Sequence, residues 1–271
     1  MSKALKLSFY LPYAVFRNPL TFTYTQTYPL PPPSTVVGLI QKMVRRFDIY
    51  DQWRRGKIRL SIKGDYKSTF THFVRKIKGN LYFDHLILNV TSRDKKPERL
   101  ISSQRTPIFE QELYSLDLVL HVKADDNALL EEIKNSFEKT KSIVSFGRAE
   151  NVAFYKEEPK IIEVDEKPES SAQVTLSYNT YASPFHFRDE REQEKFLVLG
   201  FLEQNYEKND RFYYSAFADV KRPASLKIDK FYKLLYIEKG QRIYIDKLGE
   251  EVEFIKIKNN YEPIFWLSYE S

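Results

Sequence analysis

Apolar and polar residues alternate over 5–11 (LKLSFYL), the period of a half-buried strand. Residues 12–33 read as a loop with extended parts, ending in Tyr28-Pro29-Leu30-Pro31-Pro32-Pro33. Three consecutive prolines forbid helix and stiffen the chain. Ser34 then reads as a helix N-cap. Val36, Ile40, Met43 and Phe47 recur at spacings of four, three and four, and Val37 and Val44 lie seven apart. That pattern predicts an amphipathic helix over 35–47, with Gln41, Lys42, Arg45 and Arg46 on its other face. Residues 57–66 (KIRLSIKGDY) alternate again, which completes a strand–loop–helix–strand unit.

A second such unit follows. Residues 115–123 (SLDLVLHVK) alternate with Leu116, Leu118, Leu120 and Val122 on one face. Asp125 or Asp126 can cap a helix over 127–140, whose stripe is Leu130, Ile133 and Phe137. The chain then turns through Ile143–Arg148 into a strand over 151–156. Two units of this kind predict an α+β domain over 1–157. Its sheet is ferredoxin-like or RNA-recognition-like (RRM-like), with two helices on one face. Residues 67–105 are strand-like but irregular and read as a hairpin excursion from that sheet. Residues 157–171 (EEPKIIEVDEKPESS) look like an acidic connector. Beyond it the pattern predicts a strand over 172–180, a charged helix over 188–206, and a hairpin from Ile243 to Lys258 turning at Lys247-Leu248-Gly249-Glu250. Residues 158–271 are thus a β-rich C-terminal extension, either part of the same sheet or a small second domain.

Composition narrows the chemistry. The 271 residues contain no cysteine, which removes disulfides, thiolate nucleophiles and Cys-ligated metal sites. No apolar run approaches the ~20 residues needed to span a bilayer, and the N-terminus lacks signal-peptide character, so a cytoplasmic protein without membrane contact is expected. The net charge of +6 is unevenly spread. Residues 1–110 hold 20 Lys and Arg against 7 Asp and Glu, and residues 111–271 hold 23 against 30. A basic N-terminal half suits a polyanionic partner. Basic and aromatic residues also interleave, as in Arg75-Lys76-Ile77-Lys78 followed by Tyr82-Phe83. Cations hold phosphates while rings stack on bases.

The four histidines, His72, His85, His121 and His186, show neither HxH nor HExxH spacing, so no metal site is predicted. Capping accounts for Asp125-Asp126. No phosphate-cradling glycine motif and no G-x-S-x-G elbow occurs. No cofactor is implied. One catalytic route stays open: metal-free RNA cleavage, with His85 near Tyr82 and Lys78 sharing the proton transfers. The plainer reading makes His85 a strand-face or stacking residue and His121 a sheet-face residue.

Free N–H groups and the dipole at the start of the helix after the prolines favour a phosphate. Ser34 and Thr35 add hydroxyls there, and Gly38 permits close approach of another backbone. Lys42, Arg45 and Arg46 extend the basic surface. Simple capping is the alternative role for Ser34, and a structural ion pair the alternative for Arg17 and Arg148.

The segment Thr27–Ile40 (TYPLPPPSTVVGLI) resembles the N-terminal signature of the CRISPR-associated "Cas five" family, the RAMP-type subunit of Cascade complexes. Ala14–Pro19 (AVFRNP) resembles that family's opening. Ser145–Glu150 (SFGRAE) resembles its Gly-Arg turn after the second helix. The three segments come in the expected order and cover about the first 150 residues. The resemblance implies a ferredoxin-like domain with a β-hairpin thumb, for which residues 67–105 are the natural candidate. It further implies binding of the crRNA 5′ handle, contacts with the Cascade backbone and large subunits, and target DNA met only indirectly through the complex. Arg17, Tyr28, Ser34, Thr35, Lys42, Arg45, Arg46, Arg75, Lys76, Lys78, Arg105 and Arg148 are the expected RNA contacts. One branch of the family, type I-C, cleaves the precursor RNA itself. The YPLPPPST form here is similar to branches served by a separate processing enzyme, most like type I-B (or I-A or I-D). The expectation is therefore a non-catalytic subunit. The last 100 residues match no known motif.

Overall fold

The structure is a computed structural model that describes residues 2–19, 21, 24–78, 104–140, 143–146, 151–165, 168, 173–205, 227–249, 251–257 and 260–269. It is mixed, with more strand than helix. Strand β1 (Ser2–Ala14) buries Leu5, Leu7, Phe9 and Leu11 completely on one face. It is longer than its alternating heart, and a two-residue strand, β2 (Tyr24–Thr25), interrupts the following loop.

Helix α1 (Pro33–Val44) starts one residue before Ser34. Pro32 is its N-cap residue and Pro33 its first turn, so Ser34 is not the cap: no side chain caps this end. Proline at the first helical position loses no bond, because that N–H is unpaired anyway. The helix also ends three residues early. Arg45 adopts φ 60° as a left-handed C-cap, its N–H reaching Gln41 O, so Phe47 leaves the stripe and is 82% exposed. A short helix, α2 (Ile49–Arg54), buries Ile49 and Trp53.

Strands β3 (Ile58–Lys78) and β4 (Gln104–Ala124) form one long antiparallel ladder. The register runs without a shift from Ile58↔Ala124 to Lys78↔Gln104. Residues 67–78 and 104–105 thus continue the sheet strands regularly, where the sequence pattern suggested irregularity. The remainder of the expected excursion, 79–103, lies outside the described residues. Helix α3 (Asn127–Lys139) forms as expected, and Asp126 caps it by accepting the Ala128 N–H at 2.8 Å. Leu129, Leu130, Ile133 and Phe137 are buried.

Strands β5 (Ile143–Ser145) and β6 (Val152–Val164) complete this half. Residues 157–164 of the expected 157–171 connector are in fact the second half of β6, so the boundary drawn at 157/158 falls inside a strand. Pro159 is tolerated because it sits at a bulge: Lys6 pairs Lys160 but Ser8 pairs Glu157, so Glu158 and Pro159 together oppose Leu7.

The C-terminal residues extend the same sheet. Strands β7 (Gln173–Thr175) and β8 (Asn179–Ala182) replace the single strand expected over 172–180. The expected helix over 188–206 shrinks to the single turn α4 (Glu190–Gln193) before strand β9 (Leu197–Asn205). Val198 and Gly200 are weak helix formers, and the segment instead pairs with β10 (Lys227–Ile237). Strand β10 pairs with both β8 and β9, and β11 (Arg242–Tyr244) pairs with β7. The C-terminal hairpin is made by β12 (Glu253–Ile257) and β13 (Asn260–Ile264), ten residues beyond the expected start at Ile243. The main sheet has the order β5-β6-β1-β4-β3-β8-β10-β9. A second, smaller core gathers around Phe187, Leu235, Ile237, Phe254 and Phe265.

The two faces of the sheet differ in chemistry. Helices α1 and α3 cover one with aliphatic and aromatic side chains. The other carries Lys6, His121 and Ser61 as direct cross-strand neighbours, with Lys63 and Lys123 beside them. The C-terminal hairpin straps this polar face. One end joins Asp165 to Phe254 beyond β6, and the other joins Leu267 to Leu60 of β3 through paired backbone bonds of 2.9 and 2.7 Å. Under the strap, Lys63 Nζ donates to Glu262 Oε1 at 2.8 Å with both side chains buried. Glu253 accepts from Lys123 Nζ at 2.5 Å and from Trp266 Nε1 at 2.6 Å.

Candidate nucleic-acid interface

Three segments far apart in sequence converge at one corner. Phe16 N–H donates to Thr27 Oγ1 at 2.8 Å, and Tyr28 N–H to Phe16 O at 2.7 Å. Arg17 forms a backbone bridge with Thr27 and its side chain is exposed. Phe146 packs its ring 6.0 Å from Phe16, and Asn151 Nδ2 donates to Val15 O at 3.1 Å. Phe146 and Asn151, which flank residues 147–150 in sequence, both meet the opening segment. Arg148 itself lies outside the described residues.

The proline lead-in is locked into the core from below. The Tyr181 hydroxyl donates to Leu30 O at 2.7 Å and accepts the Leu30 N–H at 3.1 Å. A Cβ on Gly64 would meet Leu30 Cδ2 at 2.7 Å, so the close approach that requires glycine occurs at Gly64. At Gly38 a Cβ would meet nothing within 4 Å, so among the described residues no backbone approaches there. Tyr28 is 3% exposed, stacks on Phe201 with centroids 4.5 Å apart, and donates its hydroxyl to Gly200 O at 2.6 Å. Burial raises its pKa to about 12. Its ring cannot stack on a base, and the expected RNA contact at Tyr28 is corrected to a core role.

Above the lead-in, Ser34 and Thr35 remain partly accessible in the first turn of α1, and Lys42 and Arg45 are exposed along and beyond it. Arg46 does not join them. It donates to Asp48 Oδ2 at 2.5 Å and to Glu132 Oε2 at 2.6 Å, so α3 neutralises it. Its hydrogen bonds hold the Asp48 carboxyl down to about 2. The backbone of Arg75, Lys76, Lys78 and Arg105 continues the β3–β4 ladder, and their side chains lie outside the described residues.

The histidines separate by environment. His85 lies outside the described residues. His121 is 2% exposed beneath the strap, and burial first, then Lys63 and Lys6, pushes its pKa well below the usual value. His186 accepts the Ser183 N–H on Nδ1 at 3.0 Å and therefore donates from Nε2 to Trp266 O, also at 3.0 Å. Burial lowers its pKa to about 4. His72 Nδ1 lies 3.6 Å from Glu112. Among the described residues no group of three or more His, Asp or Glu could hold a metal ion, and no helix is long and apolar enough to cross a membrane.

Sequence reasoning missed Asn151, Gly64 and Tyr181, which hold the corner together. It also missed the rings of Tyr13 and Tyr114 beside it. Both carried a signal: Tyr13 continues the period of two in β1, and Tyr114 continues that of Leu116, Leu118 and Leu120 in β4.

The family described as CRISPR-associated protein (Cas_Cas5) matches residues 4–211. None of the curated proteins matches the chain. Among solved structures, the chain is similar to one in a CRISPR RNA-guided surveillance complex, at 10% identity and a TM-score of 0.49, covering 88% of this chain and 91% of that one. A second is a chain of the type III-B Cmr-beta complex bound to cognate target RNA and AMPPnP, at 16% identity, a TM-score of 0.40, and 90% and 86% coverage. A third is a Cas protein crystal structure, at 13% identity, a TM-score of 0.40, and 90% and 98% coverage.

Proposed function

Because the chain belongs to the CRISPR-associated protein (Cas_Cas5) family, we propose that it is a non-catalytic subunit of a type I Cascade complex, most like type I-B, that holds the 5′ handle of the crRNA. The observation that carries this reading is the convergence of the opening and lead-in segments with Phe146 and Asn151 at one corner that leaves Arg17, Ser34, Thr35, Lys42 and Arg45 accessible. Hydroxyls, the amino end of α1 and separated cations suit successive phosphates of a single strand. The sheet order β6-β1-β4-β3, with a helix after β1 and another after β4, supports the ferredoxin-like reading. In RRM-type sheets the RNA lies on the face away from the helices. Here β12–β13 covers that face, which directs the guide to the helix side and to the β3–β4 ladder. That ladder is the base of the thumb. The backbone and large subunits of the complex are the protein partners, target DNA is met only through the assembled particle, and the compartment is the cytoplasm.

Handle RNA should bind with an affinity that falls as salt rises. Arg17→Ala with Lys42→Ala and Arg45→Ala removes three phosphate contacts and reduces the log–log salt slope by about 2, at ~0.7 per single-strand contact. An unchanged slope refutes the assigned surface. Incubating the protein with repeat RNA in EDTA tests the non-catalytic part, and a defined cleavage product contradicts it.

A further inference from the structure

Beyond the phosphate contacts, the sheet carries a feature that neither the family match nor the basic residues account for. On the face that α1 and α3 cover, three rings stand uncovered where the helices end. Tyr13, Tyr114 and Phe70 are 50%, 39% and 37% exposed. Tyr13 pairs Tyr114 directly across β1 and β4, and Tyr114 pairs Ser68 across β4 and β3, two residues from Phe70. The Tyr13 ring lies 5.5 Å from Tyr114 and 6.0 Å from Phe70. His72 continues the row with its ring 5.7 Å from Phe70.

The backbone is strained at this point. Ser115, between buried Leu116 and half-exposed Tyr114, is held at φ 56°. The β1–β4 register sets Ser115 opposite Pro12, which has no N–H to give to the ladder. A left-handed serine inside a strand costs about 1–3 kcal/mol, and such strain concentrates where a side chain must be aimed. Ser68, beside Tyr114 on this face, is exposed, and Glu112 stands across from Phe70 and 3.6 Å from His72 Nδ1, whereas the exposed Lys67 and Thr69 alternate to the opposite face. The platform also adjoins the proposed RNA corner. Thr27, bridged to Arg17, donates its N–H to the side-chain oxygen of Gln111, on the same stretch of β4.

We propose that Tyr13, Tyr114 and Phe70 form a stacking platform for unpaired bases of a single-stranded RNA whose phosphates run past Arg17. The proposal deepens the crRNA-binding reading and rests on it. Rings presented side by side from neighbouring strands stack bases without regard to sequence. The phenol hydroxyls of Tyr13 and Tyr114 and the hydroxyl of Ser68, with the exposed Arg17 nearby in sequence, suit RNA better than an aliphatic protein surface.

The test uses the full chain and an unstructured twelve-nucleotide RNA carrying 2-aminopurine. Tyr13→Ala, Tyr114→Ala and Phe70→Ala are each expected to weaken binding roughly tenfold with the salt slope unchanged, and to relieve the quenching of 2-aminopurine. Tyr13→Phe and Tyr114→Phe are expected to bind and quench as the unaltered chain does. Melting curves confirm that each variant is folded. If the unaltered chain binds and quenches, and the alanine variants do both equally well, the platform is overturned and the phosphate corner stands. If alanine variants keep the RNA but lose a protein subunit from the assembled complex, the rings are a protein contact and the proposal is likewise overturned. If the unaltered chain binds no RNA, the crRNA-binding reading fails together with the platform.

Discussion

The two faces of the central sheet solve the same burial problem with opposite chemistry. On the helix side Leu5, Leu7, Phe9, Leu116, Leu118 and Leu120 meet α1 and α3 in a core dominated by aliphatic and aromatic side chains. On the strap side Lys63, His121 and Ser61 are equally buried, beside Lys6, and the hairpin β12–β13 closes over them with Glu253, Glu262 and Trp266. An apolar face gains stability from area alone and tolerates alternative partners. A buried charged face is stable only with its particular partners in place. The comparison teaches that the C-terminal strap is held by specificity and the helices by mass of contact.

The largest effect expected from single changes lies on the helix side. Phe9→Ala leaves a cavity among Phe137, Phe146 and Tyr155 and should cost about 3–5 kcal/mol in denaturant unfolding. On the strap side, Glu262→Leu alone strands the Lys63 ammonium and should cost about 3 kcal/mol or more. Adding Lys63→Met should restore most of that stability. A double variant as unstable as the single one would mean that the pair is not the element holding the strap.

Acid separates the faces without mutation. His186 is neutral in the fold, with its pKa lowered to about 4, while the unfolded chain binds a proton near 6.5. Stability is therefore full above pH 6.5 and declines as pH falls toward 4, by on the order of 3 kcal/mol. His121 shifts in the same direction and adds to the loss. His186→Gln should flatten the decline in thermal melts recorded from pH 7 to 4, and an unchanged decline would place its origin elsewhere. The smaller effects belong to the periphery. Asp126→Ala removes the α3 cap at about 1 kcal/mol. Arg59→Ala breaks only an exposed pair with Asp125 and should change stability by less than about 1 kcal/mol.

The helix side was the legible one. Period-2 and period-3.6 patterns located β1, α1, α3 and the heart of β3 and β4, because each of those elements buries one face against near neighbours. The Asp125-Asp126 pair announced the cap, which Asp126 supplies. The strap side was not legible, since Glu253 and Glu262 in alternating strands look like a solvated face. Their burial depends on Lys123 and Lys63, the latter 199 residues away in sequence. Tyr28 was misread for the same reason: a tyrosine beside prolines looks exposed until Gly200, 172 residues later, accepts its hydroxyl. Ser34 lost its capping role because Pro33 starts the helix one position earlier. Arg46 was read as part of a basic face because Asp48 and Glu132 approach it only in the fold.

Photo-crosslinking of 4-thiouridine-substituted handle RNA, mapped by mass spectrometry, separates the two faces directly. The predicted crosslinks fall on Tyr13, Arg17, Ser34 and Tyr114, with none on Lys63, His121 or Trp266. Crosslinks confined to residues beneath or within the strap would contradict the account, since the guide would then occupy the face that the chain has closed with its own C-terminal strands.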